Sequence, residues 1–212
     1  MSIPVTSFAQ LDLQGTYSYA DYLSWQFEGW EELLHGRLLP ALATSEPHQR
    51  TVGELLGALL PAARASGGRC LPRTSVAFAA RGTNGATPTG YSFVVVPDLC
   101  VVLGPPARFD GQGCLGAPDL IVEVTSPGTQ SRDWKDKFDL YEENGVREYW
   151  LADPLAHSLS VFVRDETTAR YRLVGEYAGP GPVPRATLPD LNLRWEDVFP
   201  TAENPPRDPE AA

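Results

Sequence analysis

The middle of the chain has the clearest pattern of apolar and polar positions. Apolar runs over Tyr91–Leu103 and Pro118–Thr125 predict two strands, and the 3.6-residue periodicity of Ser131–Asn144 predicts a helix after them. Near-continuous apolar runs are typical of strands that are covered on both faces. We therefore expect these three elements to lie at the centre of the fold.

Two carboxylates interrupt the predicted strands. Asp98 lies within Val94–Val102, and Glu123 lies within Ile121–Val124. A carboxylate in such surroundings is costly unless it is paired or binds a metal, although ordinary hydrogen bonds would also satisfy either acid alone. Neighbouring strands lie about 4.8 Å apart, so two acids on one face are able to share one Mg²⁺ ion.

Asp119 is a competing candidate for the same role. It precedes Glu123 by four residues on one predicted strand, which separates their Cα atoms by about 13 Å. Two acids that far apart are not expected to share an ion, so Asp119 is expected to begin the strand. We favour Asp98, which the alternation of side chains places on the face of Val96 and Cys100.

Lys137 is a cation on the apolar face of the predicted helix. With Trp134 at 0° on a helical wheel, Phe138 lies at about 40°, Tyr141 at about 340° and Lys137 at about 300°. A lysine on such a face either extends its amine past the core to solvent or serves a function. Its position directly after a strand with a buried glutamate favours a function, whereas Tyr141 is expected to pack.

The other elements follow from the same pattern and from turn residues. Glu32 alternates with Trp30 and Leu34, and the pattern alone indicates a solvated charge on an edge strand. The remaining predictions are a helix over Tyr17–Glu28, a hairpin over Trp30–Leu39 that turns at His35-Gly36, a helix capped by Ser45 that ends or kinks at Pro61, a strand over Thr74–Ala80, loops over Arg81–Gly90 and Gly104–Gly116, and strands over Glu148–Ala152, Ser158–Arg164 and Tyr171–Glu176.

Composition limits the compartment and the partners. The 212 residues are 42% hydrophobic, which is enough for one domain with a substantial core. We expect a loosely ordered segment over 1–16, a single domain over 17–199 and a disordered tail over 200–212. The sequence contains no apolar stretch of about 18 residues and no secretory signal over Met1–Gln14, so no membrane is expected. Three cysteines without metal-site spacing indicate reduced thiols in a cytoplasmic protein.

The charge balance counts against nonspecific binding to nucleic acid. The net charge is −10, whereas neutralisation of phosphates supplies most of the affinity in such binding. Arg73 and Arg81 are candidate phosphate contacts. His48 and His157 are expected to be hydrogen-bonded structural residues. Ser-His-Asp chemistry is not supported, since no serine lies in a nucleophile-elbow pattern.

Several motifs together resemble those of one nuclease family. They are Glu32–Arg37, His48, Pro97-Asp98, Ala117–Val124, Ser126–Thr129, Asp133, Lys137, Tyr141 and Gly145–Pro154. Over roughly Tyr17–Phe199 the chain resembles the Uma2 family, which is related to the PD-(D/E)xK nucleases. The resemblance implies an α/β (α+β) restriction-endonuclease-like fold, with a central mixed β-sheet flanked by helices and an additional antiparallel β-hairpin region.

The resemblance also implies roles for individual residues. Asp98 corresponds to the motif aspartate and Glu123 to the motif glutamate. The motif lysine would fall at Thr125, and Lys137 on the following helix corresponds to it instead. Glu32 corresponds to an N-terminal acidic residue of the family that can complete the metal site.

A metal-dependent endonuclease that hydrolyses phosphodiester bonds in DNA is therefore the leading hypothesis. Asp98, Glu123, Glu32 and the Val124 carbonyl would hold Mg²⁺ or Mn²⁺, while Lys137 would orient water or stabilise charge on the phosphate. Related folds that pair to cut both strands make a homodimer plausible by analogy.

Two alternatives remain open at this point. One is a catalytically silent nuclease fold that serves as a binding or assembly module, and the other is a metal-dependent hydrolase of a small phosphoester. His35 and Arg37 stand where the family usually has acidic residues, which implies an altered surrounding of the site.

Overall fold

The computed structural model describes residues 5–27, 31–39, 44–79, 91–104, 109–126 and 133–201. The chain divides into two compact units. The first takes its described residues from Met1–Leu42, Arg73–Pro97 and Pro105–Ala117, and the second from Ala43–Pro72, Asp98–Gly104 and Pro118–Ala212. The loop predicted over 81–90 and the tail predicted beyond residue 201 lie outside the described residues, and the predicted domain bounds stay a prediction.

Runs of consecutive strands are separated by helices along the described chain. The helices are α1 Tyr19–Ser24, α2 Glu46–Ala65, α3 Phe138–Glu143 and α4 Trp195–Val198, with a 3₁₀ turn at Phe8–Gln10 and a π-helical turn at Asp133–Lys137. The strands are β1 Glu32–Leu34, β2 Arg37–Leu39, β3 Arg69–Pro72, β4 Ser75–Ala79, β5 Tyr91–Val95, β6 Leu99–Val102, β7 Gly113–Leu115, β8 Leu120–Val124, β9 Glu148–Asp153, β10 Ser158–Arg164 and β11 Tyr171–Tyr177.

The first unit is built on a five-stranded sheet in the order β2-β1-β5-β4-β7. Its β1–β2 hairpin turns at His35 and Gly36 as predicted, and both residues have positive φ, 51° and 75°. That conformation matches the right-handed twist of the flanking strands. Helix α1 is shorter than predicted: it begins after Ser18, which caps it by accepting a hydrogen bond from the Asp21 N–H.

The second unit is built on a six-stranded sheet in the order β11-β10-β9-β8-β6-β3. Strands β8 and β9 run parallel, and the other neighbours are antiparallel. Leu55 and Leu59 of α2 are buried in one core cluster with Val122 and Val124 of β8. Helix α2 is capped by Ser45 and continues through Pro61, where it was expected to end or kink.

The strand predicted over Tyr91–Leu103 is wrong as one element. It forms β5 in the first sheet and β6 in the second, and the break includes Pro97. Proline has no N–H to donate to a ladder, so it interrupts the pairing at this point. Asp98 consequently precedes β6 instead of lying inside a strand, and its expected face with Val96 and Cys100 does not follow.

Two short strands were not predicted from the sequence pattern. Strand β7 lies inside the predicted loop Gly104–Gly116, and β3 follows the Gly67-Gly68 pair at the end of α2. Strands of three or four residues are too short to establish a period. The predicted α/β (α+β) class is confirmed, with two mixed sheets and flanking helices. Among the described residues, no helix combines the length and apolar character needed to span a bilayer.

Candidate functional site

Asp98 is held between a strand backbone and a helix. Its Oδ2 accepts a hydrogen bond of 2.8 Å from the Val124 N–H of β8, and His48 Nε2 lies 3.2 Å from the same oxygen. His48 occupies the first turn of α2, whose start is fixed by the Ser45 cap. Asp98 is 9% exposed and His48 is 3% exposed. The carboxylate therefore has one oxygen with two partners, in a largely buried environment.

Glu123 lies on β8 with a different set of partners. Because Val122 and Val124 pack against α2, the alternation of side chains directs Glu123 to the opposite face of the sheet. There its Oε1 accepts hydrogen bonds from Lys137 Nζ at 2.7 Å and from the Tyr141 hydroxyl at 2.6 Å. Glu123 and Lys137 are 3% and 2% exposed, so this is a buried ion pair.

The structure settles two interpretations on this helix. The Lys137 amine is buried at Glu123, so the alternative in which it extends to solvent is wrong. Tyr141 packs as expected, with its ring centroid 5.3 Å from that of Tyr149, but it also donates to Glu123. The sequence signal for this second role was its spacing: Tyr141 lies four residues after Lys137, on the same face of the helix.

Glu123 lies on β8, Asp98 directly precedes the neighbouring strand β6, and the two acids take side-chain partners from different helical elements. Leu99, the residue after Asp98, pairs with Val122, the residue before Glu123. The part of the chain that the structure describes contains no group of three or more His, Cys, Asp and Glu side chains arranged to hold a metal. The predicted acids thus flank one residue pair of the β6–β8 ladder without forming a complete ligand cluster of side chains.

The donor types nevertheless fit a hard divalent cation. Mg²⁺ and Mn²⁺ prefer carboxylate and carbonyl oxygens, and those are the atoms that Asp98, Glu123 and Val124 offer. Both recorded contacts of Asp98 fall on Oδ2, and no described residue donates to Oδ1. Because the Asp98 side chain is 12% exposed, Oδ1 is the oxygen that remains for a ligand.

Glu32 belongs to the first unit and is buried there. Its Oε1 accepts a hydrogen bond of 3.0 Å from the Val96 N–H. Strand β1 lies between β2 and β5, so the interpretation of Glu32 as a solvated charge on an edge strand is wrong. Alternation failed here because β1 is buried along its whole length.

Two further acids in the second unit have structural partners. Asp119 directly precedes β8, as expected, and its Oδ2 accepts a hydrogen bond of 2.7 Å from the Leu103 N–H. Glu148 of β9 is fully buried. Its two oxygens accept from one side-chain and two backbone donors, namely Trp150 Nε1, Ala186 N–H and Thr187 N–H.

The remaining candidates occupy other elements or lie outside the described residues. Arg73 is in the first unit and has a positive φ of 44°. His157 lies in the turn between β9 and β10, and its carbonyl accepts a hydrogen bond from Trp195 Nε1. His35 and Arg37 form part of the β1–β2 hairpin, and the phosphate contact predicted for Arg81 lies outside the described residues.

Two of three comparisons with known proteins give a match. A family model named Uma2 and described as "Putative restriction endonuclease" matches residues 20–196. A crystal structure of "a putative nuclease belonging to DUF820 from Anabaena variabilis ATCC 29413" superposes with a TM-score of 0.66 at 16% identity, covering 86% of this chain and 97% of that chain. At such identity the likeness shows the fold, and it confirms the expected nuclease-type architecture. Comparison with curated proteins gave no match.

Proposed function

The chain belongs to the Uma2 family, and from this premise we propose that it is a nuclease that hydrolyses phosphodiester bonds in DNA with a bound Mg²⁺ or Mn²⁺ ion. One observation carries the proposal. Within the matched residues, Glu123 lies on β8, Asp98 directly precedes the neighbouring strand β6, and a buried lysine amine lies 2.7 Å from Glu123. Two acids and an amine at the end of paired strands are the groups that the family resemblance assigns to the reaction.

The metal ligands in this proposal are the Asp98 and Glu123 carboxylates and the Val124 carbonyl. Glu32 is proposed as a further ligand on the family resemblance. When bound, the ion would polarise a phosphate oxygen and lower the pKa of a water molecule at the site. The Val124 N–H, which follows Glu123 in sequence, would hold the Asp98 carboxylate at the end of β8.

Lys137 and Tyr141 would act on the other acid. Both donate to Oε1 of Glu123, so they fix the orientation of that carboxylate. The Lys137 amine is also a cation that would stabilise charge developing on the phosphate during attack. Because the pair is buried, its electrostatic effect is screened less than it would be at the surface.

The substrate assignment has to account for a net charge of −10. Few phosphate contacts are expected, with Arg73 and Arg81 as the candidates. Each phosphate contact contributes about −0.9 to the slope of log affinity plotted against log salt concentration. A shallow salt dependence of DNA binding, with a slope of about −2, is therefore part of the proposal.

A plasmid-nicking assay tests the proposal directly. The wild type and Asp98→Ala are purified in parallel and incubated with supercoiled DNA and Mg²⁺ or Mn²⁺. We expect the cleavage activity of Asp98→Ala to be at least about 100-fold lower than that of the wild type. Loss of a residue that orients a metal ligand typically costs about 10- to 100-fold, and loss of the ligand itself should cost more. Asp139→Ala, which removes an exposed acid from α3, is the matched control and should cleave like the wild type. Equal cleavage by the wild type and Asp98→Ala would identify a contaminating nuclease.

A silent nuclease fold that acts as a binding module is the second candidate. The net charge and the absence of a three-side-chain metal group among the described residues favour it. Titration of Mn²⁺ by calorimetry separates the two candidates. Saturable binding that Asp98→Ala abolishes supports the nuclease, whereas no heat from the wild type supports the silent module.

The cellular location and the assembly state belong to the same proposal. The three cysteines are buried thiols that form no disulfide, which supports the cytoplasmic location predicted from the sequence. The homodimer predicted by analogy would place two sites on one duplex. Light scattering on the purified chain measures the mass directly, and a value near 23.1 kDa would exclude the dimer under those conditions.

A further inference from the structure

His48 is the side chain near the proposed site to which no reaction step has been assigned. It lies in the first turn of α2, is almost fully buried, and has its Nε2 3.2 Å from Asp98 Oδ2. A carboxylate oxygen is an acceptor, so Nε2 is the nitrogen that carries the hydrogen in this contact. The Val124 N–H donates to the same oxygen at 2.8 Å.

The second ring nitrogen of His48 makes the contact informative. Nδ1 is buried and has no hydrogen-bond partner within the described part of the chain. A buried acceptor without a partner costs about 1–3 kcal/mol. A histidine that served packing alone would be replaced without loss by an apolar side chain of similar size, so the ring is held here for its Nε2 donor.

The geometry at Asp98 shows what that donor does. The Val124 N–H donates to Oδ2, and His48 Nε2 lies 3.2 Å from the same oxygen, so rotation of the carboxylate would disrupt both interactions at once. Oδ1, to which no described residue donates, is thereby kept in one direction.

We propose that His48 is a positioning residue that holds Asp98 with Oδ1 directed at the cation. The inference rests on the proposed function, in which Asp98 is a metal ligand. Hydrogen-bonded partners of ligating carboxylates orient the ligand, and their loss typically weakens metal binding by about 10- to 100-fold. His48 itself touches neither the substrate nor the ion in this account.

Substitutions at position 48 separate the polar contact with Asp98 from the packing. His48→Leu and His48→Ala remove the donor, and leucine keeps most of the volume. His48→Gln keeps an amide N–H on a side chain of similar reach. Val52→Ala, one turn further along α2 and in the same core cluster, is the control for general destabilisation. The full-length variants are compared by calorimetric titration with Mn²⁺ and by thermal unfolding without metal.

We expect the donor-free variants to bind Mn²⁺ about 10- to 100-fold more weakly than the wild type. His48→Gln should recover most of the affinity, and Val52→Ala should bind like the wild type despite a lower melting temperature. In plasmid nicking, the donor-free variants should need more Mn²⁺ for half-maximal cleavage, while the rate at saturating Mn²⁺ changes less.

Two results would overturn the inference and leave the proposed function intact. One is an unchanged Mn²⁺ affinity in a donor-free variant that folds. The other is a His48→Gln variant that binds Mn²⁺ as weakly as His48→Leu does. If the wild type itself gives no saturable Mn²⁺ binding, the proposed function and this inference fail together.

Discussion

Two buried glutamates in one sheet show how the partners of an acid separate support of the fold from chemistry. Glu148 on β9 accepts from an indole N–H and two backbone N–H groups, which use both of its oxygens. Glu123 on the neighbouring β8 receives an ammonium and a phenol on a single oxygen. Neutral N–H donors hold the buried carboxylate of Glu148, whereas the buried carboxylate of Glu123 is paired with a cation.

Lys137→Met gives the largest expected effect in this comparison. It removes the ammonium that pairs with the buried Glu123 carboxylate, which should lower the free energy of unfolding by about 3–5 kcal/mol. Urea unfolding measures the change, and Lys135→Met, which removes an exposed lysine two residues earlier, should change it by less than about 0.5 kcal/mol. In the double variant Lys137→Met/Glu123→Gln, part of the loss should be recovered, since both charges are gone. Strictly additive losses would mean that the pair is not coupled.

Glu148→Ala should be the next most destabilising change. It leaves three donors without an acceptor, at about 1 kcal/mol or more each, so we expect a loss of about 3 kcal/mol or more. Cleavage per folded molecule should be unchanged, because none of those donors touches Asp98 or Glu123. The exposed acid variant Glu176→Ala serves as the control in the same urea series. A cleavage defect in folded Glu148→Ala would remove the distinction drawn here.

The identity of the acids could be foreseen from the sequence more readily than their surroundings. A charged residue inside an apolar run marked Glu123, and a helical wheel placed Lys137 on the inward face, where the structure has it. Their roles in catalysis stay predictions. The split of Tyr91–Leu103 between two sheets could not be foreseen, since periodicity describes one element and not the sheet that it joins. The contact of His48 with Asp98, fifty residues apart, depends on packing that no local pattern contains.

Tyr141→Phe should have a smaller effect on stability. It removes one hydrogen bond to a charged acceptor and keeps the ring, so the expected loss is about 1.5 kcal/mol. Mn²⁺ affinity should fall in the same variant if the hydroxyl orients Glu123. Tyr177→Phe, on the half-buried end of β11, provides the matched control in thermal unfolding and calorimetry. An unchanged Mn²⁺ affinity would mean that Tyr141 contributes packing and does not orient Glu123 for the ion.

Cys70→Ala should give the smallest effect on stability, because the buried group that it removes is an uncharged thiol. Burial raises the pKa of its thiol to about 12. An unfolded thiol titrates near pH 8.5, so the stabilisation from the neutral buried thiol is complete below about pH 8.5 and is lost as the pH rises toward 12. Cys70→Ala should therefore flatten the fall of the melting temperature between pH 8.5 and 10. The same slope in both proteins would contradict the expectation.

The π-helical turn at Asp133–Lys137 bears on how this region tolerates changes in length. Such a turn holds one residue more than the α-helix that continues from it. Lys137 directly precedes α3, so its direction is tied to that helix and to Tyr141 one turn later. A deletion of Asp136 would let the turn wind as ordinary α-helix while the amine and the phenol keep their common side. We therefore expect the turn itself to take up the loss of one residue, so that the contacts at Glu123 persist after a deletion that would rotate an ordinary helix by about 100°.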